Sequence, residues 1–352
     1  MVTGWDRYVP ISRDLVLYTC DFPDVVHQND CPHSNRNKEP GEPIYRTMCT
    51  ECGGLVCYAD DSTYTVTEKR ADELSTKLSS KFQEMATYLR DNRLCINTDK
   101  THMLVMCTQQ KRNRNPNIQD VRLDTGAELI SPTQTEWLLG VPVHQDLNFG
   151  EMLISGKDSL VKSLNKRIGA LKSLSNMASF KTRLSICSAL IMSKILYMLP
   201  LYCGAPAYMM KALQKQQTEA LRIVTKRKWK NGGPSMVSTK ELLKQCNYMS
   251  VQQMAFYYSV AAVHKLLVHK QPEYLHQVVC EALASGTKHR YPTSAAGKQP
   301  VKPAKLMIAN TSFRWRASTA YANLPPDLKE EENLKLFLAR LKSHTLLHVP
   351  II

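Results

Sequence analysis

The spacing of apolar residues divides the chain into an amino-terminal part of mixed periodicity and a carboxyl-terminal part that is purely helical. Residues 14–26 carry Leu15, Val16, Leu17 and Tyr18 ahead of Pro23, which predicts a short helix stopped by the proline. Leu55-Val-Cys-Tyr and Thr63-Tyr-Thr-Val are β-rich runs on either side of the turn-like Ala59-Asp-Asp-Ser, so a hairpin with carboxylates at its tip is expected. Leu74, Leu78, Phe82, Met85 and Leu89 recur at helical spacing and predict an amphipathic helix over 69–90. A tight turn after Leu94 leads into a strand at 102–107, and short strands flank Asp124-Thr-Gly between Val121 and Ile130. Beyond residue 151, Leu160, Leu164, Ile168, Leu171 and Leu174 line one helix face, and 184–199 reads as a more buried helix. A third helix over 207–229 ends in a basic run before Gly232-Gly-Pro breaks the pattern. Helices resume at 239–246 and 250–269, a linker rich in Gly, Pro, Ser and Lys covers about 285–304, and a last amphipathic helix spans about 331–346.

The predicted fold class is therefore α+β. An antiparallel sheet with helices occupies about 1–150 and carries an irregular surface insertion at 27–50; a helical region follows over 151–230, then an α-rich region over 231–352. At 352 residues, 43% hydrophobic and 22% charged, the chain has enough apolar matter for two or three cores and is not of disordered composition. Its most apolar stretch, Ile186 to Cys203, includes Lys194 and Pro200, which favours a buried helix over a bilayer span, so no membrane is expected. The formal net charge of +15 points to a polyanionic partner, nucleic acid ahead of an anionic membrane surface. Eleven cysteines with no secretory segment before them predict reduced thiols in a nuclear or cytoplasmic protein that is not secreted.

Three groups of residues carry candidate chemistry. Asp60 and Asp61 bring two negative charges together at a turn, an arrangement relieved by a hard cation such as Mg²⁺ or Mn²⁺ with oxygen ligands; the plain alternative is that Asp-Asp-Ser is simply a good turn sequence. Cys31-Pro-His33 and Cys49-Thr-Glu-Cys52 make a Zn²⁺ ligand set, the alternative being reduced thiols beside a strand. Lys211, Lys215, Arg222, Lys226, Arg227, Lys228 and Lys230, opposed by Glu219, with Trp229 beside them, could track a phosphate backbone and stack on a base; the alternative is a solvated helix face.

Leu55-Val-Cys-Tyr-Ala-Asp-Asp resembles the central metal-binding motif of reverse transcriptases. Downstream, Leu94-Cys-Ile-Asn97-Thr-Asp-Lys100-Thr101 and then Trp137-Leu-Leu-Gly140-Val-Pro-Val-His-Gln-Asp146-Leu-Asn-Phe149 are similar, in order, to the next motif and to the primer-grip hairpin of the non-LTR (LINE-type) retrotransposon branch. More weakly, Tyr18-Thr-Cys-Asp-Phe-Pro-Asp is similar to an Asn-Asp-Leu-Pro helix end, 151–230 to a helical thumb, and Ser312-Phe-Arg-Trp-Arg with Leu324-Pro-Pro-Asp-Leu to the tail of such elements. The resemblance implies a partial reverse transcriptase palm, a thumb and an α-rich carboxyl-terminal region. It implies RNA-directed DNA synthesis by two-metal nucleotidyl transfer, with an RNA template, a DNA primer, deoxynucleoside triphosphates and Mg²⁺ or Mn²⁺. Asp60 would be the main metal ligand and Asp61 its helper, Tyr58 would lie against the primer end, Lys100 would approach the triphosphate, and Trp137, Leu139 and Gly140 would belong to the primer grip. The family's upstream Asp-bearing strand and Gly-x-Pro-Gln-Gly segment are not in this sequence, so a truncated chain that does not polymerise alone is expected. The rival expectation is a non-catalytic nucleic-acid-binding remnant, assisted by zinc.

Overall fold

Residues 14–21 form a strand, β1 (Asp14–Asp21), and not the expected short helix; this correction sets the architecture of the first unit. The computed structural model describes residues 14–21, 55–58, 61–68, 70–91, 97, 100–197, 199–227, 237–285 and 312–351. The expected hairpin is present as β2 (Leu55–Tyr58) and β3 (Asp61–Glu68). β1 pairs antiparallel with β3 along its full length and, on its other edge, with β4 (His102–Met106). A short unbroken run such as Leu15-Val16-Leu17-Tyr18 does not discriminate a buried helix from a central strand. Val16, Tyr18 and Thr19 suit the pleated form, and pairing on both edges satisfies the backbone donors and acceptors of the segment.

The sheet runs in the order β2-β3-β1-β4-β7, where β7 (Pro132–Thr133) is parallel to β4. Helix α1 (Ala71–Asp91) starts at an acidic first turn, Asp72 and Glu73, which suits its dipole. It buries Leu74, Leu78 and Phe82 in one cluster with Tyr64 and Val66 of β3 and Met103 and Val105 of β4. Each such side chain contributes about 1.5–3 kcal/mol by leaving water. Leu104 and Met106 alternate to the opposite face and are buried too, as a central strand requires. Ser79 and Gln83 of α1 bond the backbone of Asp124, holding the small hairpin β5 (Leu123–Asp124) and β6 (Leu129–Ile130). After the short helix α2 (Gln109–Arg114), a second hairpin is built from β8 (Thr135–Leu138) and β9 (Val141–His144).

The chain divides into two compact units, residues 1–148 and 149–352, and the described part of the second is helical. α3 (Leu160–Leu174) buries Leu164, Ile168 and Leu171 of its expected face. The expected single helix 184–199 is instead α4 (Phe180–Cys187) running through a π turn at Ser188–Met192 into α5 (Ser193–Leu196). These surround α6 (Ala207–Thr225), whose Leu213, Ala220, Leu221 and Val224 are buried. α7 (Thr239–Cys246) and α8 (Val251–His269) start with capping boxes, Ser238 with Glu241 and Ser250 with Gln253. α9 (Glu273–Ala284), α10 (Phe313–Ala322), α11 (Pro326–Lys329) and α12 (Leu334–His348) complete the unit. A second core of Val260, Val263, Ala317, Tyr321, Phe337 and Leu341 joins α8, α10 and α12.

Candidate functional site

Strand register gathers the chemistry of the first unit at one end of the sheet. Tyr58 pairs with Asp61, so Ala59 and Asp60 alone connect β2 to β3. Asp61 is in turn the register partner of Asp21, the last residue of β1. On the other side of β1, Thr19 pairs with His102, the first residue of β4, so Lys100, two residues before that strand, enters the sheet at the end where β1 finishes in Asp21. Lys100 is exposed, and its N–H donates to the Asn97 carbonyl at 3.2 Å. The buried Thr101 hydroxyl donates to the same carbonyl at 2.9 Å, so the spacing Asn97-x-x-Lys100-Thr101 encodes a turn closed on one oxygen. Asp60 itself lies outside the described residues. Two aspartates on neighbouring strands and a lysine at one sheet end are the residue types that suit a hard divalent ion and a phosphate, since Mg²⁺ takes oxygen donors and leaves room for waters and phosphate oxygens. Sequence reasoning missed Asp21 because it read 14–26 as a helix; the available signal was the β-branched and aromatic content of the run.

The β8–β9 hairpin stands beside the start of β4, where His102 Nδ1 is 3.8 Å from Glu136 Oε1. Trp137 is 51% exposed and offers an aromatic face for stacking. Leu139 and Gly140 form the two-residue turn between the Leu138–Val141 pair, with φ of 49° and 74°. Positive φ at both positions is the geometry of a type I′ turn, which matches strand twist, so these two residues shape the hairpin. Arg112 pins the segment that follows β9. Its Nη2 donates to Asp146 Oδ1 and to the Gln145 carbonyl, both at 3.3 Å, while the Cys107 N–H donates to the same Gln145 carbonyl at 3.1 Å. Nothing in the local sequence pattern marked Arg112.

In the second unit the basic run is not one helix. α6 ends at Thr225, and Lys226 adopts a left-handed conformation, φ 54°. The Arg227 N–H donates to the Arg222 carbonyl at 3.0 Å and the Lys226 N–H to that of Ile223 at 3.2 Å, the two closing bonds of a Schellman stop. Helix 207–229 is corrected accordingly: Lys211, Lys215 and Glu219 are exposed on α6, Arg222 is half-buried, and Lys226 and Arg227 are exposed beyond its end. Lys228, Trp229 and Lys230 lie outside the described residues. α6 is fixed by groups that the sequence did not single out. Buried Arg183 donates from Nε to the Val224 carbonyl at 2.8 Å, a cation at the negative end of the helix. Buried Gln214 accepts the Val251 N–H at 2.9 Å, and Gln217 donates to the Met249 carbonyl at 2.9 Å, tying α6 to the start of α8.

Cys31, His33, Cys49 and Cys52, the insertion 27–50 and most of the linker 285–304 lie outside the described residues. Among the described residues, no three His, Cys, Asp or Glu side chains are placed to share a metal ion, and no helix is long and apolar enough to cross a membrane. Comparison with known proteins finds no family model that matches the chain and no curated protein that matches it.

Proposed function

We propose that the chain is the metal-hairpin and thumb portion of a reverse transcriptase of the non-LTR retrotransposon type, binding RNA template and DNA primer. The observation that carries the reading is the sheet end, where register aligns Tyr58, Asp61 and Asp21, with Asp60 between β2 and β3 in sequence and Lys100 two residues before β4. Asp60, Asp61 and Asp21 would hold Mg²⁺ or Mn²⁺, which when bound supplies charge stabilisation for in-line phosphoryl transfer. Lys100 neutralises the phosphates of a deoxynucleoside triphosphate and can give a proton to departing pyrophosphate. Trp137 presents an aromatic face to the primer strand, and the Arg112 contacts keep its hairpin beside β4. Lys211, Lys215, Arg222, Lys226 and Arg227 supply phosphate contacts whose strength falls with salt.

A second reading, a non-catalytic nucleic-acid-binding remnant, rests on the exposed Lys211, Lys215, Lys226 and Arg227, which can hold a phosphate backbone without a metal ion. With the Gly-x-Pro-Gln-Gly portion of a related enzyme joined to the chain, Mg²⁺-dependent extension of a DNA primer on RNA is expected, and Asp60→Ala should abolish it. Extension by the Asp60→Ala protein would remove the catalytic assignment; absence of extension with Asp60 intact, but with hybrid binding retained, would leave the binding reading in its place.

A further inference from the structure

We propose that His276 and Cys280, one turn apart on α9, form a two-donor site for a zinc-class cation, separate from the sheet-end carboxylates and from the Cys31, His33, Cys49 and Cys52 set. Cys280 Sγ lies 3.3 Å from His276 Nε2, and both side chains are half-buried. Residues i and i+4 project from the same helix face, and α9 is packed against α8 and α10, so the backbone fixes the pair before any ion arrives. It is the spacing at which two histidines of a helical His-x-x-x-His pair take one zinc. With Zn–S of about 2.3 Å and Zn–N of about 2.0–2.1 Å, donors 3.3 Å apart subtend about 100° at the ion, close to the tetrahedral angle.

The donor chemistry selects the ion. A thiolate with an imidazole favours Zn²⁺, Co²⁺ or Cd²⁺ over Mg²⁺, which prefers oxygen. Cys107, Cys187, Cys203 and Cys246 compete poorly. Cys107, Cys187 and Cys246 are buried, and burial pushes Cys187 up to about 12 and raises Cys203 and Cys246, which keeps them protonated. On binding, the Cys280 thiol releases its proton to solvent, sulfur and imidazole nitrogen each form a bond to the ion, and water occupies the two remaining positions; no electron changes hands. Since no third described side chain completes the set, the site is open and binds more weakly than a four-ligand structural zinc.

The test is a Co²⁺ titration of the full chain carrying Cys31→Ser, Cys49→Ser and Cys52→Ser, read by the near-ultraviolet thiolate-to-cobalt absorption band. Saturation at about one ion per chain is expected, with about one proton released. Excess Mg²⁺ should leave the band in place, Cys280→Ser should abolish it, and His276→Gln should weaken binding more than the roughly 10–100-fold that loss of an outer-sphere partner costs. Helical circular dichroism checks that each variant is folded. Absence of the band from the triple variant, its survival in Cys280→Ser, or unchanged affinity in His276→Gln would each overturn the proposal; if Cys280→Ser unfolds, His276→Gln decides alone.

Discussion

Leu139 occupies the left-handed region at φ 49°, a conformation in which a branched apolar side chain crowds its own backbone. Asparagine tolerates that region far better, and Asn-Gly is the preferred pair for such a turn. Leu139→Asn is therefore expected to stabilise the first unit by about 0.5–1 kcal/mol, read as a higher denaturant midpoint; a lower midpoint would show that the Leu139 side chain matters more than its backbone angle. His264 is a second informative residue. It is 2% exposed, stacked on the Phe337 ring, with Nδ1 3.2 Å from the Tyr321 hydroxyl. Burial lowers its pKa and His269 adds to this, while the Glu331 backbone and carboxylate pull the other way. His344 of α12 is lowered as well, by burial first and then by His348, against Asp327. Because the unfolded chain takes up these protons first, the stability present above about pH 6.5 is lost as pH falls toward the folded-state values. Unfolding midpoints at neutral and mildly acid pH should thus converge in His264→Phe relative to the unsubstituted protein; an unchanged acid loss would show that His264 does not titrate on unfolding.

Among the elements, the parts legible in the sequence were those with a strong local period. The carboxylate hairpin, α1, the apolar face of α3 and the helices over 239–246 and 250–269 belong here. Three features escaped for distinct physical reasons. β1 owes its form to hydrogen bonds with β3 and β4 on both edges, which a local window cannot contain. The stop of α6 falls on Lys226 where a glycine would have announced it. Arg112 does its structural work across more than thirty residues of chain, bonding Gln145 and Asp146. Its side chain is 12% exposed and that of Asp146 22%, so removing the guanidinium strands partly buried acceptors. Arg112→Met is expected to destabilise the first unit by about 2–3 kcal/mol and to loosen the Trp137 hairpin, seen as more solvent-exposed tryptophan fluorescence and faster exchange of the Gln145 amide. Unchanged exchange there would mean that β8 and β9 are held by other contacts.

For the molecule as a whole, the aspartates of the sheet end belong to the first unit, and the basic side chains on and beyond α6 belong to the second. The net charge of +15 favours a polyanionic partner. Under the proposed function, residues on two strands, Asp21 on β1 and the Asp60-Asp61 pair at the β2–β3 link, would serve one divalent ion. Iron-directed cleavage tests it most directly, because Fe²⁺ in a Mg²⁺ site cuts the backbone segments that surround it. The full chain, treated with Fe²⁺ and peroxide, should be cut both near residue 21 and near residues 58–62; excess Mg²⁺ and the double change Asp60→Ala with Asp61→Ala should suppress both cuts together. Cleavage confined to one of the two segments, or cuts that persist in the double variant, would contradict the shared site.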